Sequence, residues 1–212
     1  MLHRALPDAT HLRMAFMSHY NKLSPGTART TVEAIGVGLR VRKDGKIVEV
    51  PPQSRQIHFA ESAHYAVGIS WGDVSTAYHS TGIPNIEMFI GATPSQKMLL
   101  QPSRLLRWVL KRRTVQAIAK GGIRRRIKGP TEAERQRDEM LLWGEVSNAA
   151  GDRRIIRMRT PEGYATTTVT ALAAITTLLA EPLAPGAYTP SLAFGPEFIL
   201  RIDGVTVTPG DE

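Results

Sequence analysis

The pair Asp44-Gly45 constrains this chain more than any other two residues. It lies between LRVRK and KIVEV, two runs in which apolar and charged side chains alternate. Period-two alternation suits a strand with one buried face. Asp-Gly suits the tight turn that folds such a strand back on itself, because both residues tolerate positive φ. A chain with this hairpin contains antiparallel pairing, so a purely parallel sheet is excluded.

The rest of the chain reads as strands mixed with helices. THLRMAF (10–16) alternates as a strand. SPGTARTTVEAIG opens a helix, with Ser24 as N-cap, Pro25 at the first position and Gly36 at its end. SRQIHFAESAHYAVGIS gives one or two more strands, and NIEMFIGAT a buried one. GPTEAERQRDE begins a short helix capped by Thr131, with Glu134 completing a capping box. MLLWGEVSNAAGDRRIIRMRT is a hairpin turning near 148–152. An Ala/Leu-rich helix follows, capped by Thr160, started by Pro161 and running to about Leu179; its many threonines lower its propensity, so packing must hold it. A last strand is predicted over 198–202. The order implies an α+β fold with a largely antiparallel or mixed sheet and helices packed on it.

With 212 residues, 42% of them hydrophobic, the chain has enough apolar surface for a core. No membrane span is expected, and the N-terminal MLHRALPDATHLRMAF has no signal-peptide pattern. There is no cysteine, which excludes disulfides and thiol catalysis and fits a reducing cytoplasm. Several motifs fail. GVGLRV follows a helix and lacks the third glycine of a dinucleotide fingerprint. There is no P-loop and no Gly-x-Ser-x-Gly. The six histidines lack metal-ligand spacing, so no metal is expected.

The net charge of +8 belongs to one segment. Between Met88 and Thr131 stand eleven Lys or Arg and no acid, so the rest of the chain is slightly acidic. Within it, PSRLLRWVLKRRTVQAIAKGG reads as a basic amphipathic helix over 103–120, part of an excursion at about 95–138. Three readings stand: a solvated helix covering the sheet, a surface (103–128) meeting an anionic membrane peripherally, and nucleic-acid binding. The last is the weakest, since Trp108 is the lone aromatic there.

The densest polar stretch is ISWGDVSTAYHSTGIPNIEMF (69–89). A short helix fits between Gly72 and Gly82, with Asp73 complementing its dipole. Val74, Ala77 and Tyr78 share one side; Ser75 and His79, four apart, share another. The bland reading is a capped connecting helix. The functional reading takes His79 as acid/base group, with Asp73 and Tyr78 as alternatives, and Trp71, Ser75 and Asn85 as substrate contacts. Ser24, Gly26 and Thr27 form a second candidate, a helix start able to meet an anionic group.

WGDVSTAYHSTGIPNIEMF, GPTEAER…WGEV, TPEGYATTTVTALAAITTLL and TPSLAFGPEFIL, with LSPGTARTTVE before them, resemble the C-terminal portion of saccharopine dehydrogenase-like oxidoreductases. That group includes saccharopine reductases in the broad sense and trans-acting enoyl reductases. The similarity runs from about His3 to Val205. It implies an NAD(P)-binding Rossmann domain followed by a second domain that forms part of the substrate cleft and a homodimer contact. The glycine fingerprint of the first domain is not in this sequence. The expectation is therefore a single C-terminal substrate and oligomerisation domain over 1–212, with NAD or NADP bound mainly outside it and a small-molecule substrate, inactive alone. The rival expectation is a non-catalytic scaffold that meets membrane or a partner through the basic helix.

Overall fold

The computed structural model describes residues 1–18, 24–60, 62–93, 96, 108–109, 112, 114–117, 121–122 and 129–210, with the backbone only of 32–37. The Asp44-Gly45 turn forms as the sequence requires. Asp44 has φ 48° and Gly45 φ 76°, joining β2 (Leu39–Lys43) to β3 (Lys46–Val50) in antiparallel register.

A nine-stranded sheet organises the described residues. β1 (His11–Ser18) and β6 (Asn85–Gly91) form a parallel pair. On the other edge of β1 lie β7 (Glu139–Ser147), β8 (Arg153–Pro161) and β9 (Thr206–Gly210), each antiparallel to the last. β6 gives its amino-terminal half to β2 and its carboxyl-terminal half to β5 (Ala63–Gly68), which carries β4 (Ser54–His58). The sheet is thus mixed and largely antiparallel.

Period-two alternation sorts side chains onto two faces. On the first, Ala15, Met17, Phe89, Leu141, Trp143 and Ile155 cluster with Ile57 and Phe59 from the β4 end. For β4 to meet β8 across this cluster the sheet must curl, and Arg157 Nε donates to the His58 carbonyl at 2.8 Å. On the second face, Leu12, Ile86 and Val146 pack under α1 (Leu2–Ala5) and α3 (Asp73–Thr81). The close fit of the first face shows at Gly91, where a Cβ would lie 2.6 Å from Met17 Cβ. That atom is fixed to the backbone and cannot swing away. We expect Gly91→Ala to destabilise the fold by about 1–3 kcal/mol through overpacking, read as a lower denaturant midpoint.

α2 (Pro25–Val37) is capped by Ser24 but ends at Gly38, φ 93°, two residues beyond the glycine expected to stop it. α4 (Glu132–Arg135) carries the predicted capping box of Thr131 and Glu134. α5 (Gly163–Ala180) corrects the sequence reading at its start. Thr160 and Pro161 belong to β8, and the cap is Glu162, whose carboxylate accepts from the Tyr164 and Ala165 amides at 3.0 and 2.9 Å. β8 wins those two residues because they pair with Met140 and Glu139 across the ladder. The packing expected to hold α5 does not bury it. Thr166, Thr170, Ala173, Ala174 and Thr177 are half-covered, while Val169, Leu172, Ile175 and Leu179 are exposed. With 18 residues and mean hydropathy 1.3, α5 is, among the described residues, a helix long and apolar enough to cross a membrane. Threonines, near neutral in hydropathy, hid that run in the sequence.

The strand predicted over 198–202 is a 3-10 turn (Phe198–Arg201); the strand comes later, as β9. Phe198 is buried and stacks on Phe194 of α6 (Pro190–Phe194), ring centroids 4.7 Å apart, so contact four residues back overrides strand propensity. The basic helix expected over 103–120 lies mostly outside the described residues. Of its described positions, 108–109 and 114–117 are helical, and the Arg112 guanidinium stands 4.4 Å from the half-exposed Trp108 ring.

Candidate functional site

The polar stretch after β5 folds into the helix its sequence suggests, α3, closed by Gly82 in the left-handed conformation at φ 72°. Its side chains go to different places. The Tyr78 ring packs against the second-face core and lies 4.1 Å beneath the Arg42 guanidinium. Arg42 is itself buried, and its Nε donates to the Val74 carbonyl at 2.9 Å. Asn85 ties three segments together: its amide donates to the Thr10 carbonyl at 2.9 Å, and its Oδ1 accepts from the Asp44 amide at 3.0 Å. Tyr78 and Asn85 therefore brace the hairpin and the amino ends of β1 and β6.

His79 is exposed, its ring 6.0 Å from that of Tyr78, and Ser75 is half-buried one turn before it. Asp73 begins the helix half-buried; burial pushes its carboxyl up, and its own backbone amide offsets part of the rise. Trp71 rests on Phe16, ring centroids 5.2 Å apart, two residues before the carboxyl end of β1.

Ser24 and Thr27 meet a residue the sequence reading did not single out. Ser24 Oγ accepts from the Thr27 amide at 3.1 Å, as an N-cap should. The Tyr164 hydroxyl lies 2.8 Å from Thr27 Oγ1 and accepts from the Ser24 amide at 3.3 Å. The ladder brings them together. Ser18, ending β1, and Thr160, near the end of β8, both pair with Met140. Hence α2, leaving β1, and α5, leaving β8, start at the same edge of the sheet. The loop before β7 is pinned there too, Ser18 Oγ donating to Asp138 at 2.6 Å, and Gly129 packs on Pro25 and Ser24.

At this junction Tyr164 is 38% exposed, and the Arg135 guanidinium stands 5.7 Å from its ring. Burial alone would raise the phenol pKa, but hydrogen bonds from Ser24 and Thr27 outweigh it and hold the hydroxyl below its ordinary value. The start of α2 adds its positive dipole end, with no acid in its first turn. The arrangement is a reachable hydroxyl whose anion is stabilised in advance, which is what a proton donor requires. Among the described residues no hydrogen bond or ring contact joins this cluster to the α3 group.

A second polar cluster was also missed. Glu145, its side chain 1% exposed, lies among Arg13, Arg55 and Arg153 on the first face of the sheet. Arg13 NH1 stands at 2.8 Å, Arg55 NH1 at 4.0 Å, and Arg153 is hydrogen-bonded to it. Arg13 Nε also donates to Glu87 at 2.9 Å. Burial pushes the Glu145 carboxyl up, but the hydrogen bonds from Arg153 and Arg13 outweigh it and hold it below the usual carboxylate value. Among the described residues there is no group of three or more His, Cys, Asp and Glu able to hold a metal ion.

Among solved structures, apo histidine-tagged saccharopine dehydrogenase (L-Glu forming) from Saccharomyces cerevisiae is similar in fold. The match has a TM-score of 0.51, covers 96% of this chain and 68% of that one, and carries 10% identity. No family model matches the chain, and no curated protein sequence matches it. The likeness is one of fold.

Proposed function

We propose that the chain is the substrate-binding portion of a saccharopine dehydrogenase-like, NAD(P)-dependent oxidoreductase, with the nicotinamide held by a nucleotide-binding domain outside these 212 residues. The observation that carries this is the likeness of fold to saccharopine dehydrogenase across 96% of the chain.

The donors at the start of α2 do not suit a pyrophosphate. The Ser24 and Thr27 hydroxyls are bonded to each other, and Tyr164 takes the Thr27 hydroxyl and the Ser24 amide, without the glycine turn that lets a backbone wrap a phosphate. They suit a substrate oxygen or nitrogen. A dinucleotide, when bound, supplies hydride to carbon; this chain supplies the proton. Tyr164 gives it to the heteroatom that gains negative charge, and the Ser24 amide and Thr27 hydroxyl stabilise the phenolate left behind. Trp71, against Phe16 near the end of β1, supplies an apolar wall.

Fluorescence titration with NADPH tests the reading. The 212-residue chain alone should bind negligibly. The chain fused to the protein-coding sequence preceding Met1 should bind in the micromolar range. No binding by the fusion would sink the proposal. The rival, a scaffold meeting anionic membrane through its basic segment, draws on the exposed Trp108–Arg112 pair; it requires no NADPH affinity in either form.

A further inference from the structure

We propose that Arg55, beside Glu145, Arg13 and Arg153, forms a binding site for a monoanionic carboxylate. Among the described residues no hydrogen bond, ion pair or ring contact joins Arg55 to Tyr164, Ser24 or Thr27. The site is therefore separate from the proposed reaction centre and does not depend on the nicotinamide reading.

Charge and geometry carry the argument. Among the described residues Glu145 is taken up by Arg13 and Arg153, and Glu87 by Arg13. Arg55 is the guanidinium held least closely by them. It stands 4.0 Å from Glu145, and among the described residues its guanidinium makes no hydrogen bond. It is nonetheless held in place, its Cζ 5.4 Å from the Trp143 ring centroid and 5.8 Å from that of Phe89. Those rings are buried in the first-face core, so the fork is oriented by a rigid aromatic platform. Its side chain keeps 30% exposure, which leaves the donors reachable from solvent.

A guanidinium fork that is fixed, half-desolvated and unbonded matches a carboxylate, which takes two parallel N–H bonds. A phosphate dianion would be repelled more strongly than a monoanion by Glu145 and Glu87, which are already close. Burial lowers the Arg55 pKa, and the pull of Glu145 and Glu87 against the repulsion of Arg13 and Arg153 does not make up for it.

The test titrates the 212-residue chain with propionate, butyrate and inorganic phosphate at constant ionic strength, following the thermal midpoint. Propionate and butyrate should act saturably and raise the midpoint by about 3–5 °C at tenfold excess over Kd. Phosphate should act less than either. Arg55→Gln should weaken carboxylate binding at least tenfold while leaving the unliganded midpoint nearly unchanged, since the part-exposed pair with Glu145 is long at 4.0 Å. Arg55→Lys keeps the charge, loses the fork, and should weaken binding several-fold. The proposal is overturned by a shift that does not saturate, by a shift that survives Arg55→Gln, by phosphate acting as strongly as propionate, or by an unliganded midpoint that falls in both variants. The last would make Arg55 a purely structural residue.

Discussion

Replacing Glu145 with alanine should destabilise the fold by about 3–5 kcal/mol, the cost of breaking a buried ion pair from one side. The carboxylate is buried and is the only acid within reach of both Arg55 and Arg153 among the described residues. Without it those two arginines and Arg13 lose the buried carboxylate they share. For a chain of this size the thermal midpoint should drop by roughly 10 °C. In denaturant the midpoint should fall with an unchanged slope. Glu145→Gln should cost less, since it keeps volume and one acceptor.

The same residue sets an acid limit. Its folded pKa lies below the ordinary 4.5, so its contribution is complete above that ordinary value. It is lost as pH falls through the depressed folded value. The Glu145→Gln variant, having no charge to lose there, should show a flatter midpoint-against-pH curve on the acid side. Parallel curves would mean that the arginines are satisfied elsewhere.

Glu145 also marks the reach of local sequence rules. In MLLWGEV, Leu141, Trp143 and Glu145 share the inward phase of an alternating strand. A lone acid at an inward position is itself the signal of a buried pair. It does not say which arginines answer it: Arg13, Arg55 and Arg153 come from three other strands, and strand order is not written locally. Local rules did well where one segment decides its own conformation. The Asp44-Gly45 hairpin, the α4 capping box and the 73–81 helix between its glycines formed as read. They failed where a distant partner decides. Phe198 answers to Phe194, and Thr160 to Met140. The candidate sites divide the same way. Ser24 and Thr27 announce a helix cap, but Tyr164 lies 137 residues from Thr27 and meets it through the ladder that starts α2 and α5 at one edge. The polar groups of 69–89 divide: Tyr78 and Asn85 brace the fold, while Trp71 and His79 stay exposed and Asp73 and Ser75 half-buried.

Tyr164→Phe should lower kcat of a cofactor-competent form by about 10²–10⁴-fold, the range for removing a general acid. KM should change little, because Thr27 and Ser24 remain to hold the substrate atom. The hydroxyl is partly exposed, so stability should move by no more than about 1 kcal/mol, and a folded, inactive variant is the expected outcome. The pH profile separates a proton donor from a mere binding contact. Tyr164 must be protonated to act, and its pKa lies below the ordinary 10.0. In the reductive direction kcat should therefore fall as pH rises through that lowered value, an alkaline limb that Tyr164→Phe abolishes. Thr27→Val removes one of the groups that stabilise the phenolate. It should raise the pKa again and shift the limb to higher pH while preserving most of the rate at neutral pH. A Tyr164→Phe enzyme that keeps its rate, or a limb that Thr27→Val leaves in place, would remove Tyr164 from the chemistry and return the search to His79 and Asp73 on α3.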